Sequence, residues 1–334
     1  MRRTVALPPD FDFGSAVCSH GFFVLAPNLW DPGGRVLRTA IALDDDRAVE
    51  VAIRESGGRR LLIDSDERLS RADAAIVLRA VRRILRLDED LSPFHGLCRL
   101  SPTHRRAART RFGRLLRSAS LFEDIVKVIC TCNVAWRATV TMAERIVRHW
   151  GVPTGDARGR GFPTPARLAA VSPAELSRKA RVGYRAGYIH ELACRVAGGL
   201  LNLDELEHWP GPADERYQRL RQIRGVGDYA ASYLCILLGD YSRLAIDTET
   251  FRLLKERHPR RRFTAASIRA CYRQWHPYQS LAYWYELWSD YVGRHGRSDL
   301  WSPADVGPRI TSKRITLPGR KYNPVQGTRP PADI

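Results

Sequence analysis

Lysine is almost missing from this chain. Of its 54 basic residues only Lys127, Lys179, Lys255, Lys313 and Lys321 are lysines, so nearly all the positive charge is guanidinium. No apolar run approaches the roughly 20 residues a helix needs to span a bilayer. The opening MRRTVALPPDFDFG has no long apolar segment behind its arginines, so neither a membrane protein nor a secretory leader is expected. The seven cysteines are scattered and odd in number, with no zinc-site pair and no iron–sulfur loop. That argues against a disulfide framework and for reduced thiols in a cytoplasm. The nine histidines show no ligand spacing, and there is no internal repeat or low-complexity tract. No metal site is expected.

What the chain does have is charge of one sign and size. A net charge of +18 favours polyanions, nucleic acid first, and the planar fork of arginine suits phosphate. A genome rich in G and C, which encodes arginine readily, is the alternative source. The 334 residues, 44% of them apolar, suffice for one large domain or two ordinary ones.

Residues 10–65 read as short strands, at 22–25, 35–43, 49–55 and 59–64, broken by Pro-Asn, Asp-Pro-Gly-Gly and Ser-Gly-Gly. From Ser70 the period becomes helical. The first amphipathic helix carries Ala75, Ile76, Leu78, Val81, Ile84 and Leu85. Helices are expected at 101–118, 121–132, 136–150, 173–180, 185–198, 214–222, 228–238, 248–258, 265–274 and 278–294. The arginine-rich stretch 101–117 is either a solvated helix face or a phosphate track. The fold class is α+β, mostly α. Residues 1–90 form an antiparallel β domain with a connecting helix, 91–300 a two-lobed helical body with a hairpin at 214–238, and 301–334 a polar tail.

Gly225-Val226-Gly227 joins two of these helices. Leu220, Ile223, Val226 and Ala230 can pack them together. The glycines permit a tight turn and uncover backbone N–H groups at a helix N-terminus, a device for holding one phosphate. Asp228 reads as an N-cap. Further on, Asp247 follows an apolar Leu-Ala-Ile and opens another helix, with Thr250 placed to complete a cap.

A helix–Gly-Val-Gly–helix followed by such an aspartate resembles the helix-hairpin-helix (HhH-GPD) DNA glycosylase superfamily. Asp247 lies eighteen residues past Tyr229, as that family's catalytic aspartate does from its hairpin. LFEDIVKVICTCNVAWRATVTMAERIVRHWG (121–151), FPTPARLAAVSPAELSRKARVGYRAGYIHELA (162–193) and WHPYQSLAYWYELW (275–288) resemble further parts of it. The N-terminal sheet resembles the small β domain of the 8-oxoguanine and 3-methyladenine branches. Together the resemblance covers residues 10–295.

It implies cleavage of the N-glycosidic bond of a damaged base flipped out of duplex DNA. Asp247 would stabilise the positive charge growing on the sugar and orient water. An apolar setting strengthens that charge but raises its pKa, which the helix N-terminus counteracts. Branches that also cut the strand carry a lysine two residues after the second glycine. Here that position is Tyr229, so a monofunctional enzyme is expected. The base-pocket positions of the family map onto Tyr229, Tyr233, Tyr283 and Leu287. The two hairpin-helix tyrosines match the aromatic pair of the 3-methyladenine branch, suited to cationic alkylated purines. Asn133, Tyr184 and Arg185 instead match residues of the 8-oxoguanine branch that contact the orphaned partner base and fill the gap.

The expected function is therefore release of 3-methyladenine-like bases. A glycosylase for oxidised or deaminated bases and a non-catalytic binder of damaged DNA are the alternatives. The resemblance implies a monomer acting on double-stranded DNA in the bacterial cytoplasm, at the nucleoid. No cofactor is implied, with a structural monovalent cation at the hairpin the one ion it allows.

Overall fold

The computed structural model describes residues 1–155, 159–301 and 306. Apart from 301 and 306, the expected polar tail lies outside the described residues. An antiparallel sheet of five strands comes first: β1 (Arg2–Ala6), β2 (Leu29–Asp31), β3 (Val36–Ala42), β4 (Ala48–Ser56) and β5 (Arg60–Asp64), in the order β1-β5-β4-β3-β2. Alternation sets the register. Val49, Val51 and Ile53 point inward while Glu50 and Arg54 point out, and Ile53 stands opposite Leu37 on one side and Ile63 on the other. β1 is an addition to the sequence reading. Only Val5 of its five residues is buried, as suits an edge strand, so it shows no alternation.

Two expected elements differ. The run at 22–25 is not a strand: Gly21–Val24 is a 3-10 turn with all four residues buried. An apolar run that short has no period to separate the two states. The expected helix at 101–118 is also absent in that form. Helices cover Ser92–Leu100 and Arg105–Arg109, and the chain then breaks where Arg111 and Gly113 take positive φ. The arginine-rich stretch divides accordingly. Arg105, Arg106, Arg109 and Arg111 face solvent, whereas Arg114 is buried and donates to Asp10 and to the Arg86 carbonyl.

The connecting helix, Arg71–Leu85, is capped by Ser70, whose hydroxyl accepts from the Asp73 N–H. Its buried face is Ala74, Val77, Ala80, Val81, Ile84 and Leu85, rotated from the stripe expected, so that Ile76 and Leu78 are only half-buried. The rest of the described chain is helical and shares one continuous apolar core with the sheet. The two parts are joined by specific bonds as well. Trp284 Nε1 donates to the Ser19 carbonyl at 2.8 Å, and Trp30 Nε1 to that of Asp299 at 3.0 Å. The Trp136 ring lies against the Gly21 backbone so closely that a side chain there would overlap it. No helix among the described residues is long and apolar enough to cross a membrane.

Candidate active site

The hairpin forms as its sequence suggests. Ala213–Arg221 and Asp228–Leu237 are helices, and Leu220, Ile223, Val226 and Ala230 are buried between them. Gly225 has φ +89° and faces the Tyr188 ring, which a β-carbon would meet at 2.5 Å. A side chain is excluded there twice, by conformation and by contact. Gly227 is different. Its φ of −81° suits any residue, and an added β-carbon would meet nothing within 4 Å.

Gly227, not Asp228, is the N-cap, and no side chain caps the helix. Asp228, on the cleft wall, accepts from the Tyr217 hydroxyl and from Arg269 at 3.3 Å. Its negative charge is thereby engaged by these two donors, and the N–H groups of the first turn are left without a side-chain acceptor.

Asp247 caps the helix Thr248–Arg257 in a reciprocal capping box. Its Oδ1 accepts from the Thr250 N–H at 2.9 Å and the Thr250 hydroxyl at 3.0 Å, and its own N–H donates to Thr250 Oγ1 at 3.1 Å. Asp247 keeps some surface on the cleft but is crowded by protein. Burial, with the neighbouring Glu249 carboxylate, pushes its carboxyl up to about 6 against the pull of the Thr250 bonds.

A cleft of about 810 Å³ brings these features together. Asp247, Tyr229 and Gly225-Val226-Gly227 share its lining with Asn133, Tyr184 and Arg185. Three helices begin at its wall, at Arg185, Asp228 and Thr248, so their positive dipole ends converge on it. Tyr184 is 52% exposed, its ring edge-on to Tyr188, its hydroxyl 3.3 Å from Asn133 Nδ2. Arg185 is not free in the same way. Its guanidinium is buried and donates to the carbonyls of Ile129, Val182 and Cys132.

Tyr233, Tyr283 and Leu287, expected in the base pocket, are buried off this cleft. Tyr233 stacks on Tyr229, ring centres 6.1 Å apart at 18°, so the two form one aromatic slab with only its outer member on the cleft. Tyr283 lies behind Asp247, 2.8 Å from the Thr250 hydroxyl. Leu287, one turn further along Gln279–His295, joins the core.

His20 escaped the sequence reading because its partner is 213 residues away. Its Nε2 is 2.6 Å from the Leu116 carbonyl, which can only accept, so Nδ1 carries no proton and accepts from the Tyr233 hydroxyl at 2.9 Å. Burial pushes the imidazole down to about 4, so it is neutral. The β domain thus supports the aromatic slab.

Among the described residues no lysine lines the cleft. Lys127, 1% exposed, is paired with Glu123 at 2.6 Å between Phe22 and Phe162. No group of three or more His, Cys, Asp or Glu that could hold a metal ion occurs among the described residues.

The fold is that of the helix-hairpin-helix base-excision proteins, and residues 126–326 match the family described as HhH-GPD superfamily base excision DNA repair protein. The chain belongs to that superfamily. It is 22% identical over 238 residues to a Bacillus subtilis (strain 168) protein named DNA-3-methyladenine glycosylase, covering 69% of this chain and 77% of that one. It superposes on the 3-methyladenine DNA glycosylase from Archaeoglobus fulgidus with a TM-score of 0.69 at 21% identity, covering 86% of this chain and 98% of that one. A Clostridium acetobutylicum 8-oxoguanine glycosylase/lyase, in complex with double-stranded DNA containing cytosine opposite 8-oxoG, gives a TM-score of 0.64 at 18% identity. That match covers 85% of this chain and 93% of the other.

Gly225→Ala should lower stability by about 1–3 kcal/mol in urea unfolding, through strain and the Tyr188 overlap. Gly227→Ala should leave stability within about 0.5 kcal/mol while weakening binding to duplex DNA. For Asp247, the folded-state pKa of about 6 stands above the unfolded value of about 3.9. Ionisation therefore costs stability, increasingly from about pH 4 and fully above pH 6. Asp247→Asn, which keeps a good cap, should stabilise the fold by about 3 kcal/mol at pH 8 and by nothing at pH 3. An equal stabilisation at both pH values would show that the carboxylate is not destabilised in the fold.

Proposed function

We propose that this protein is a DNA glycosylase that hydrolyses the N-glycosidic bond of flipped-out alkylated purines in duplex DNA, using water. The observation that carries this reading is Asp247 in one cleft with the uncapped N-terminus of the hairpin helix.

The hairpin N–H groups would hold a backbone phosphate beside the lesion, and exposed Tyr184 would enter the stack as the base leaves. The flipped purine would lie against Tyr229, backed by Tyr233. A cationic alkylated base gains from the face of an electron-rich ring, and its positive charge already weakens the glycosidic bond. As the bond breaks, charge passes to the sugar, where the Asp247 carboxylate stabilises it and orients the attacking water. The hydroxyl of Tyr229, driven further up by burial and by Asp247, is not a nucleophile at neutral pH. No lysine lines the cleft among the described residues, which supports an abasic site rather than a cut strand as the product. The Asn133–Tyr184 pair favours a second reading, a glycosylase of the 8-oxoguanine type, since those positions resemble that branch.

Single-turnover release from duplexes carrying 3-methyladenine, hypoxanthine, uracil or 8-oxoguanine separates these readings. Release of 3-methyladenine should be fastest. Asp247→Asn should slow it at least about 100-fold while sparing DNA binding. Preference for 8-oxoguanine would establish the second reading, and no release from any duplex would leave a binding protein. Strand breaks without added alkali, with a borohydride-trapped adduct, would refute the use of water.

A further inference from the structure

Behind Asp247 lies a row of hydroxyl groups that the reaction above leaves unused. Thr250 Oγ1 is 3.0 Å from Asp247 Oδ1, 3.1 Å from the Asp247 backbone nitrogen and 2.8 Å from the Tyr283 hydroxyl. Thr250 is 1% exposed and Tyr283 4%. A threonine hydroxyl has one proton and two lone pairs. The backbone N–H can only donate, so it takes one lone pair. The ionised carboxylate can only accept, so it takes the proton. One lone pair remains for Tyr283, whose O–H must then be the donor. The direction of the row is fixed: Tyr283 donates to Thr250, and Thr250 to Asp247.

We infer that Tyr283 and Thr250 are positioning residues for Asp247, a donor chain that fixes the rotamer of its carboxylate and favours its charged form from the buried side. This deepens the glycosylase reading and rests on it for the role of Asp247. Successive hydrogen bonds polarise one another in a low-dielectric interior, so the distant hydroxyl strengthens the near one.

The groups facing Asp247 show why such a chain matters. On its own helix Glu249 opposes the charge. That carboxylate is itself held by Arg252 at 2.8 Å and by the Tyr291 hydroxyl. From the hairpin helix Tyr229 and Tyr233 face it, and from Gln279–His295 Tyr283 and Tyr291; all four feel its charge, and all are held neutral by burial. Across the cleft, Arg185 is committed to backbone carbonyls and Asp228 to Tyr217 and Arg269, while Arg221 and Arg224 stand on the wall.

The test reads the titration of Asp247 without requiring turnover. The stability difference between chains with and without Asp247→Asn is measured against pH in four backgrounds: wild type, Tyr283→Phe, Thr250→Val and Thr250→Ser. Its upper midpoint reports the folded-state titration of Asp247. Tyr283→Phe should move that midpoint up by about half a pH unit and Thr250→Val by about one, with Thr250→Ser unmoved. In parallel, base release from duplex DNA treated with a methylating agent should be about two-fold slower at pH 6 for Tyr283→Phe and about five-fold for Thr250→Val, and near wild type at pH 8.5. Lower stability with an unmoved midpoint would mark a merely structural role and overturn the inference. Midpoints that shift in a protein releasing no base would uphold the relay and overturn the glycosylase reading instead.

Discussion

The proposed reaction needs a carboxylate that stays charged where water is scarce, and the surroundings of Asp247 are organised by that conflict. Crowding around Asp247 favours its neutral form, and Glu249 adds to the effect. Opposing them are the N-terminus of the helix Thr248–Arg257, the paired bonds from Thr250 and the hydroxyl of Tyr283 behind it. The balance leaves the carboxyl pushed up to about 6, ionised at neutral pH but with little margin.

The contact proposed for the phosphate is of another kind. Despite a net charge of +18, the contact proposed for the backbone beside the lesion is made by peptide N–H groups and a helix dipole. The guanidiniums nearest the cleft are largely committed, Arg185 to carbonyls and Arg224 to Glu191 and the Tyr188 ring. Fixed dipoles hold their geometry without the entropy cost of ordering long side chains. Much of the remaining arginine is structural. Arg114 and Arg86 are buried in bonds to carboxylates and carbonyls, so these guanidiniums are not available to a polyanion.

Features that depend on neighbours in sequence were legible in it. The strands β3 to β5, the packing residues of the hairpin and the cap formed by Asp247 and Thr250 each involve residues within a few positions of one another, and each appears as expected. Features that depend on what a side chain meets across the fold were not. Tyr283 and Leu287, base-pocket positions by likeness, are buried on the helix Gln279–His295 and do not line the cleft. Spacing cannot reveal the bond between His20 and Tyr233, since nothing local marks a buried histidine as a partner. The 3-10 turn at Gly21–Val24 and the break after Arg109 failed for a related reason, because short apolar or basic runs fit several backbone states.

The central claim is that the Asp247 carboxylate meets positive charge developing on an extruded sugar, and a comparison of two abasic-site analogues tests it most directly. One duplex carries a cationic pyrrolidine ring that mimics the charged sugar, and the other a neutral tetrahydrofuran ring of the same shape. At pH 7.5 the account predicts at least about ten-fold tighter binding of the cationic duplex, with the preference lost in Asp247→Asn and faded below pH 6. Equal affinity for the two rings, or a preference that survives Asp247→Asn, would contradict it.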